Sequence, residues 1–532
     1  MRGADLLVRS LAAAGVRKIF SLSGNQIMPV YDACIDARIE IIHTRHEAAA
    51  VFMADAWAQL TGEIGVALVT AAPGATNALG ALYSARQSES PVLLLTGDSS
   101  RSQDGKGAFQ ELDQVAITSP LTKLSLRVAS SDAFGDDVAR AIASALSGRP
   151  GPVHVALPFD LLEAPAGDAG PPAGDAFRPA VETPAAADLA LIADAVAAAQ
   201  RPLIVFGAAL NRTRFGAEID ALSNALDAPA LALESPRGLK DPSLGDIAGV
   251  LAQADLILAL GKPVDFTLGF GKPAAAQCRW VVVDAEDREI DRAALNLASR
   301  ELHAVKADPR AMALALTAAG LGGDRRAAWR DAVAGATAKR VAPPVGNGKI
   351  LPSDVTAAVQ RQLDRARQSV LVCDGGEFGQ WCQAGTHGDF RIINGPSGAI
   401  GGGLCYALAA TQAKPGATVF ALMGDGTVGF HLAEFETAAR IGAAFVAVIG
   451  NDSCWNAEHQ IQLREYGPNR LIGCMLSEAR YDLAVAAMGG HGEHVVDPAE
   501  LDAALERAVA SGKVACVNVV IEGLAAPAGA GH

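Results

Sequence analysis

The sequence predicts an α/β protein of three doubly wound parallel-sheet domains, and three observations predict it. Short, continuously apolar β-rich runs recur along the 532 residues. Ala-rich segments with helical spacing separate them. Two stretches without apolar period cut the chain into three blocks of comparable size. Strands apolar on both faces belong to sheets covered on both sides, and helices between successive strands are the crossovers that parallel pairing requires.

The N-terminal stretch MRGADLLVRSLAAAGVRKIF is interrupted by Arg9 and Arg17 and has helical spacing, so it reads as an amphipathic first helix rather than a leader. The first block then gives VALVT at 66–70, VLLLTG at 92–97 and VHVAL at 153–157. Residues 163–187, dense in Pro, Gly and Ala, form a linker. The second block gives PLIVFG at 202–207, LILALG at 256–261 and WVVVD at 280–284, and a shorter linker follows around 341–354. The third gives VLVCDG at 370–375, TVFALMGDG at 418–426, FVAVIGND at 445–452 and VACVNVVI at 514–521. Domains at 1–165, 185–335 and 350–525 are expected, each of ordinary size.

Composition narrows the function. A net charge of −14 argues against nucleic acid, which demands a basic face. Eight scattered cysteines without a CxxC pair suggest reduced thiols in the cytoplasm rather than a disulfide frame or zinc site. No apolar run is long enough for a membrane span.

In such sheets ligands bind beyond the carboxyl ends of the strands. There one strand ends in Gly424-Asp425-Gly426 and the next in Asn451-Asp452, with the two acids 27 residues apart. The helical segment HLAEFETAARIG between them makes one βαβ unit, whose strand ends open on the same edge. Two converging carboxylates suit Mg²⁺, a hard cation that often bridges to phosphate. Gly-Asp-Gly alone is as readily an ordinary turn, and Asn-Asp a loop cap; the second acid at the matching distance favours the metal.

Gly-Asp-Gly followed by Asn-Asp resembles the cofactor motif of thiamine-diphosphate enzymes, whose usual form ends in Asn-Asn. Further segments are similar to the acetolactate synthase-like and 2-hydroxyacyl-CoA lyase-like branch and together span nearly the whole chain. They are GNQIMPVYDA (24–33), RHEAAAVFMADAWA (45–58), TAAPGATNALGAL (70–82), GAFQELDQV (107–115), GPSGAIGGGL (395–404) and RYDLAVAAMGGHGE (480–493). The resemblance implies pyrimidine-binding, central and diphosphate-binding domains in that order.

It also implies roles. Glu47, otherwise one charged residue on an amphipathic helix, matches the acid that hydrogen-bonds the aminopyrimidine ring and promotes its imino form. A carboxyl lifted toward neutrality by burial suits that task. Ile400 matches the bulky apolar residue that wedges between the cofactor's rings, and the Gly398 carbonyl would accept from the aminopyrimidine. Pro73 and Asn77 belong to the cofactor-binding set on the pyrimidine side. The metal would be held by Asp425, the Asp452 side chain and the main-chain carbonyl of Cys454. Asp452 stands where most relatives have Asn; its extra charge suits Mg²⁺ but repels diphosphate, so metal is expected to be essential. The diphosphate would rest on backbone amides of Gly375, Gly376, Glu377 and Phe378 and on Thr427, with Gly424 and Gly426 letting backbone come close.

Gln110 and Glu458 join Glu47 as catalytic candidates, and Asn25, Gln26, Phe109, Trp455 and His459 as candidates for the substrate pocket. Glu458 lies six residues beyond Asp452, where pyruvate decarboxylases carry a catalytic glutamate. Glu458 and His459 fit the solvent side of a helix equally well, and adjacent residues do not share one face. His46 reads as structural.

In acetolactate synthases the central domain binds FAD and sends a long loop to the active site. Here that loop is missing from ESPRGLKDPSLGDIAGVLAQADLILALG, and the shortened form with GKPVDFTLGFG is more similar to 2-hydroxyacyl-CoA lyases and oxalyl-CoA decarboxylases, which carry ADP. FAD is not expected, while ADP or CoA in the central domain stays open. Asp284 either meets a ribose hydroxyl or forms a turn. The chain runs out soon after its last strand, without the long lid that covers acyl-CoA in those lyases.

The expected function is cleavage or formation of a C–C bond next to a carbonyl, with acetolactate-type decarboxylation and carboligation of a small 2-oxo acid as reference. The alternatives are an enzyme of 2-hydroxyacyl-CoA or oxalyl-CoA substrates, a benzoylformate or pyruvate decarboxylase, and a non-catalytic scaffold. Intact Glu47, Ile400 and Asp425 disfavour the scaffold. In the family the pyrimidine site of one subunit meets the diphosphate site of another, so a homodimeric active site and a homotetramer are expected.

Overall fold

The strands that the sequence marks by continuous apolar runs are buried almost throughout and pair in parallel. The computed structural model describes residues 1–167, 170–340, 342 and 348–527. Parts of both expected linkers, 168–169 and 341 with 343–347, lie outside the described residues.

The first sheet contains β1 (Lys18–Ser21), β2 (Glu40–His43), β3 (Gly65–Val69), β4 (Val92–Asp98), β5 (Ser125–Arg127) and β6 (Val153–Pro158), in the order β2-β1-β3-β4-β6-β5. The second contains β7 (Pro202–Phe206), β8 (Ala230–Ala232), β9 (Leu256–Leu260), β10 (Arg279–Asp284) and β11 (Leu302–Lys306), in the order β11-β10-β9-β7-β8. The third contains β12 (Ser369–Cys373), β13 (Phe390–Ile393), β14 (Thr418–Gly424), β15 (Val446–Asn451), β16 (His491–Val495) and β17 (Ala515–Val520), in the order β13-β12-β14-β15-β17-β16. Every pairing is parallel. The chain forms two compact units, one built on Met1–Ala180 and one that carries the second and third sheets.

The central sheet shows why its strands read as unbroken apolar runs. Ile204 and Phe206 of β7 face one core, and Leu203 and Val205 face the other. Side chains alternate across a strand, so helices on both faces require both sets to be apolar. The helical segment expected between the two acids at 431–442 is the helix Glu434–Ile441, preceded by a helical turn at Asp425–Val428 and a 3-10 turn at Gly429–His431. All eight cysteines are unpaired and buried. Among the described residues no helix is long and apolar enough to cross a membrane.

One buried polar cluster makes a prediction about acid stability. His154 on β6 is fully buried, with Nε2 2.9 Å from Thr96 Oγ1 and Nδ1 within 3.0 Å of Thr118 and Ser125 hydroxyls. Burial pushes its pKa down to about 3. The folded state therefore keeps this ring neutral where the unfolded chain, with an ordinary value of about 6.5, takes a proton. Stability is lost as pH falls from about 6.5 toward 3, at up to ~1.4 kcal/mol per unit. The expected result is a flatter dependence of Tm on pH between 6.5 and 4 in His154→Gln; an unchanged slope would remove His154 as the cause.

Candidate active site

The order of the third sheet creates a crevice. From β12 the chain steps to β13 on one side and to β14 on the other, so the loops after β12 and β14 part at their carboxyl ends, the place where such sheets bind ligands. Asp374-Gly375-Gly376 follows β12, Asp425 follows β14 and Asp452 follows β15, with Gly424 and Gly450 paired in register between the last two. A cavity of about 280 Å³ opens there.

Asp425 and Asp452 come together as expected. Backbone N–H groups of Gly426 and Cys454 donate to Asp425, and its carboxyl hydrogen-bonds Asp452. Burial raises the pKa of both, and the Asp425 charge adds to the rise at Asp452. Asp425 Oδ2 is buried without a hydrogen-bond partner. Two carboxyls facing each other, one with an orphaned oxygen, are costly unless a proton or a cation lies between them. Among the described residues no cluster of three His, Cys, Asp or Glu side chains could hold a metal. A cation here would have the two carboxylates as ligands and would complete its shell with a carbonyl such as that of Cys454, phosphate or water, the habit of Mg²⁺.

The surrounding backbone is shaped for close approach. A Cβ on Gly426 would lie 2.6 Å from the Trp455 ring, one on Gly450 2.5 Å from Phe378, and one on Gly375 2.6 Å from Ile400 Cγ2. Gly376 has φ +87°, which favours glycine, and opens the helix Gly376–Gly385, whose N-terminus has no side-chain cap. Uncapped N–H groups facing a cavity suit an anion. Thr427 donates to the Gly424 carbonyl at 2.9 Å and lines the same space. The donor set and the cradle fit a divalent cation with a diphosphate.

Sequence reasoning missed several supports. Asp374 is fully buried and accepts from the N–H groups of Gly375, Gly401 and Gly403, which ties the loop carrying Gly398 and Ile400 to the end of β12. Tyr481 donates its hydroxyl to the Asp425 carbonyl at 3.1 Å. Arg237 lines the cavity from the Pro-Arg-Gly turn of the central segment. An acid directly after an apolar strand, followed by glycine, was the available signal for Asp374. Glu377 is not only a backbone contributor: its carboxylate accepts from Ala526 N–H at 2.7 Å. Burial, with a smaller effect of Glu458, raises its pKa. Trp455 and Glu458 line the cavity, and His459 does not. Asp284 accepts from Glu286 N–H at 3.0 Å, the turn-forming alternative.

The first unit gathers a second group, also at carboxyl strand ends. Glu47 opens the helix Glu47–Thr61 after β2, and His46 caps it by accepting from Ala48 N–H at 3.1 Å, the structural role expected of it. Asn77 donates to Glu47 Oε2 at 3.0 Å from the helix Pro73–Gln87 that follows β3. That helix begins after Ala72 at φ +41°, an uncommon conformation for a residue with a side chain. Gln26 is buried and bonded to Gln110 at 2.8 Å, whereas Asn25 and Phe109 are exposed.

Comparison with known proteins gives matches at both ends of the chain. A family model described as "Thiamine pyrophosphate enzyme, N-terminal TPP binding domain" matches residues 1–117, and its C-terminal TPP binding domain counterpart matches 374–519. The chain is 34% identical to the acetolactate synthase large subunit IlvG of Mycobacterium tuberculosis, over 98% of this chain and 96% of the relative. It is 31% identical to human 2-hydroxyacyl-CoA lyase 2, over 92% of this chain and 84% of that protein. Shared domain models at both ends and similarity over nearly the full length lead to one conclusion: the chain belongs to the thiamine pyrophosphate enzyme family.

Proposed function

We propose that the protein is a thiamine-diphosphate- and Mg²⁺-dependent enzyme that decarboxylates a small 2-oxo acid and joins the remaining acyl unit to a second carbonyl, as an acetolactate synthase does. The observation that carries the cofactor half is the Asp425–Asp452 pair, with its orphaned Oδ2, in a glycine-lined cradle. The substrate half rests on full-length similarity to an acetolactate synthase large subunit.

Thiamine diphosphate, when bound, supplies a nucleophilic carbon and an electron sink. The residues of this chain do the rest. Asp425, Asp452 and the Cys454 carbonyl would hold Mg²⁺, and the amides of Gly376, Glu377 and Phe378 with Thr427 would bind the diphosphate, the Gly375 N–H expected to join them being taken by Asp374. Ile400 and Gly398 would orient the rings, and Glu47 would hold the activating proton with Asn77 steadying its carboxylate. Glu458 lines the cavity and would move a proton on the substrate side. Glu47 of one subunit would serve the cofactor held by another, in a homodimer or a tetramer of two dimers. Domain limits at 1–165, 185–335 and 350–525 and a cytoplasmic setting complete the reading; the eight unpaired cysteines suit a reducing compartment.

Similarity to 2-hydroxyacyl-CoA lyase 2 supports a second reading, with an acyl-CoA substrate and ADP or CoA in the central domain. Purified protein given Mg²⁺ and coenzyme is expected to release CO₂ from pyruvate or a related 2-oxo acid and form an acyloin-type product. Turnover of a 2-hydroxyacyl-CoA, or of formyl-CoA with an aldehyde, in place of any 2-oxo acid would transfer the assignment to the lyase.

A further inference from the structure

The segment that carries Ile400 is pinned at three successive peptide groups, one of them by a residue that no motif singles out. Asn394 Nδ2 donates to the Ala399 carbonyl at 2.6 Å. Gly401 N–H donates to both oxygens of Asp374, at 3.0 and 3.1 Å. His431 Nδ1 lies 2.7 Å from the Gly401 carbonyl oxygen. The peptide groups before Ile400, after Ile400 and after Gly401 are thus each held by a separate side chain. Two of the three pins come from the ends of paired strands: Asp374 follows β12, and His431 closes the 3-10 turn Gly429–His431 beyond β14.

The direction of the His431 bond is settled by its partner. A main-chain carbonyl accepts and cannot donate, so Nδ1 carries a hydrogen. Of the two neutral forms of the ring, only the one protonated at Nδ1 makes this bond, and the imidazolium makes it too. The remaining form sets lone pair against lone pair at a buried contact, the costly outcome. His431 does not line the cavity, so it reaches the site only through the loop.

The backbone has to hold Ile400 because the core does not. Ile400 is only half-buried and Gly398 is exposed, so surrounding side chains do not fix the loop. Its one close wall is Gly375, where an added Cβ would lie 2.6 Å from Ile400 Cγ2, and Gly375 N–H donates to Asp374 at 2.7 Å. Asp374 therefore ties the wall and the loop to one carboxylate. On the far side Gly401 has φ +92°, and a Cβ there would lie 2.5 Å from Phe430 Cβ, hard against the residue before His431. A side chain branched at Cβ turns little about χ1, so a fixed backbone fixes the isoleucine methyls as well.

We propose that His431 is a positioning residue that, with Asp374, grips the Gly401 backbone at both its N–H and its carbonyl, so that Ile400 stands as a rigid wedge between the two coenzyme rings. A side chain that sets the angle between two rings loads its own backbone. A grip on one side alone would let the loop yield, and a small misplacement of reacting groups costs rate rather than affinity. The proposal rests on the role given to Ile400 under the proposed function, but the grip itself does not.

The test compares His431→Asn, which keeps a donor where Nδ1 stands, with His431→Leu, which has none. In coenzyme-free protein, hydrogen-exchange mass spectrometry should show residues 395–404 exchanging about 10-fold faster in His431→Leu than in wild type. His431→Asn should stay close to wild type, and the central sheet should be unchanged in both variants. Nitrogen-15 spectra of histidine-labelled protein should show His431 protonated at Nδ1. In the loaded enzyme, kcat should fall about 10- to 100-fold in His431→Leu and recover most of that loss in His431→Asn. The coenzyme Kd by calorimetry should stay within a few-fold, because the groups assigned to the metal and the diphosphate are left in place. Exchange at 395–404 unaltered by His431→Leu, a proton on Nε2 alone, or equal kcat in the two variants overturns the proposal. Full kcat in Ile400→Ala would instead remove the role of Ile400, and the exchange experiment would still decide the grip.

Discussion

Glu47→Gln is expected to lose about 10²- to 10⁴-fold in kcat while taking up thiamine diphosphate as the wild type does. The reasoning is local. Glu47 is buried at the first position of its helix, where the N-terminal N–H groups favour a carboxylate, and Asn77 donates to one of its oxygens. A glutamine has the same shape, and its carbonyl can still accept from Asn77, so the helix and its cap should survive. What it cannot do is hold and release a proton at that atom. The substitution therefore separates chemistry from binding: kcat by steady-state turnover, affinity by calorimetry. Full activity would remove the assigned role, and loss of coenzyme binding would recast Glu47 as a structural residue.

Asp425→Asn should weaken Mg²⁺-dependent coenzyme uptake by about 100-fold or more, because it takes an anionic ligand from a site with only two. The same substitution has an opposite effect on the metal-free protein. Burial, together with the proximity of the two acids, raises both carboxyl pKa values. A raised carboxyl favours the fold at acid pH and withdraws that contribution as pH climbs through the folded value. Metal-free wild type should therefore lose stability between about pH 4 and 8, and Mg²⁺ should restore more of it at pH 8 than at pH 5, where protons compete. Asp425→Asn relieves the repulsion, so it should be the more stable protein at pH 8 without metal and gain little from Mg²⁺. Thermal melts at both pH values, with and without Mg²⁺, check this. A variant less stable than wild type at pH 8 would show that the pair is held by contacts other than a cation.

What could be read from sequence was what is buried on both sides. Leu203–Phe206 and Val446–Ile449 are continuous apolar runs because helices cover both faces, and all ten such runs are strands. The strands that left no signal include the six at sheet edges, such as Glu40–His43, Ser125–Arg127 and His491–Val495, along with Lys18–Ser21. An edge is short and partly open, so its residues need not be apolar, and Glu40 and His491 are not. At the site, Asp425 and Asp452 were legible because strand ends on one edge force their convergence. The bonds made by Asp374, Tyr481 and Asn77 were not, since each joins residues distant in sequence, although Asn77 was named for the cofactor-binding set and Asp374 carries the signal of an acid after an apolar strand. The Gln26–Gln110 bond spans 84 residues and has the same cause. Spacing reports what lies on one helix or one βαβ unit, whereas these contacts depend on the order of strands in the sheet.

Calorimetric titration of thiamine diphosphate into metal-stripped protein, repeated with Mg²⁺, tests the central claim most directly. Saturable binding that appears with Mg²⁺, disappears with a chelator and is lost in Asp425→Asn is the predicted result. Equal binding with and without the cation, or none under either condition, would contradict it.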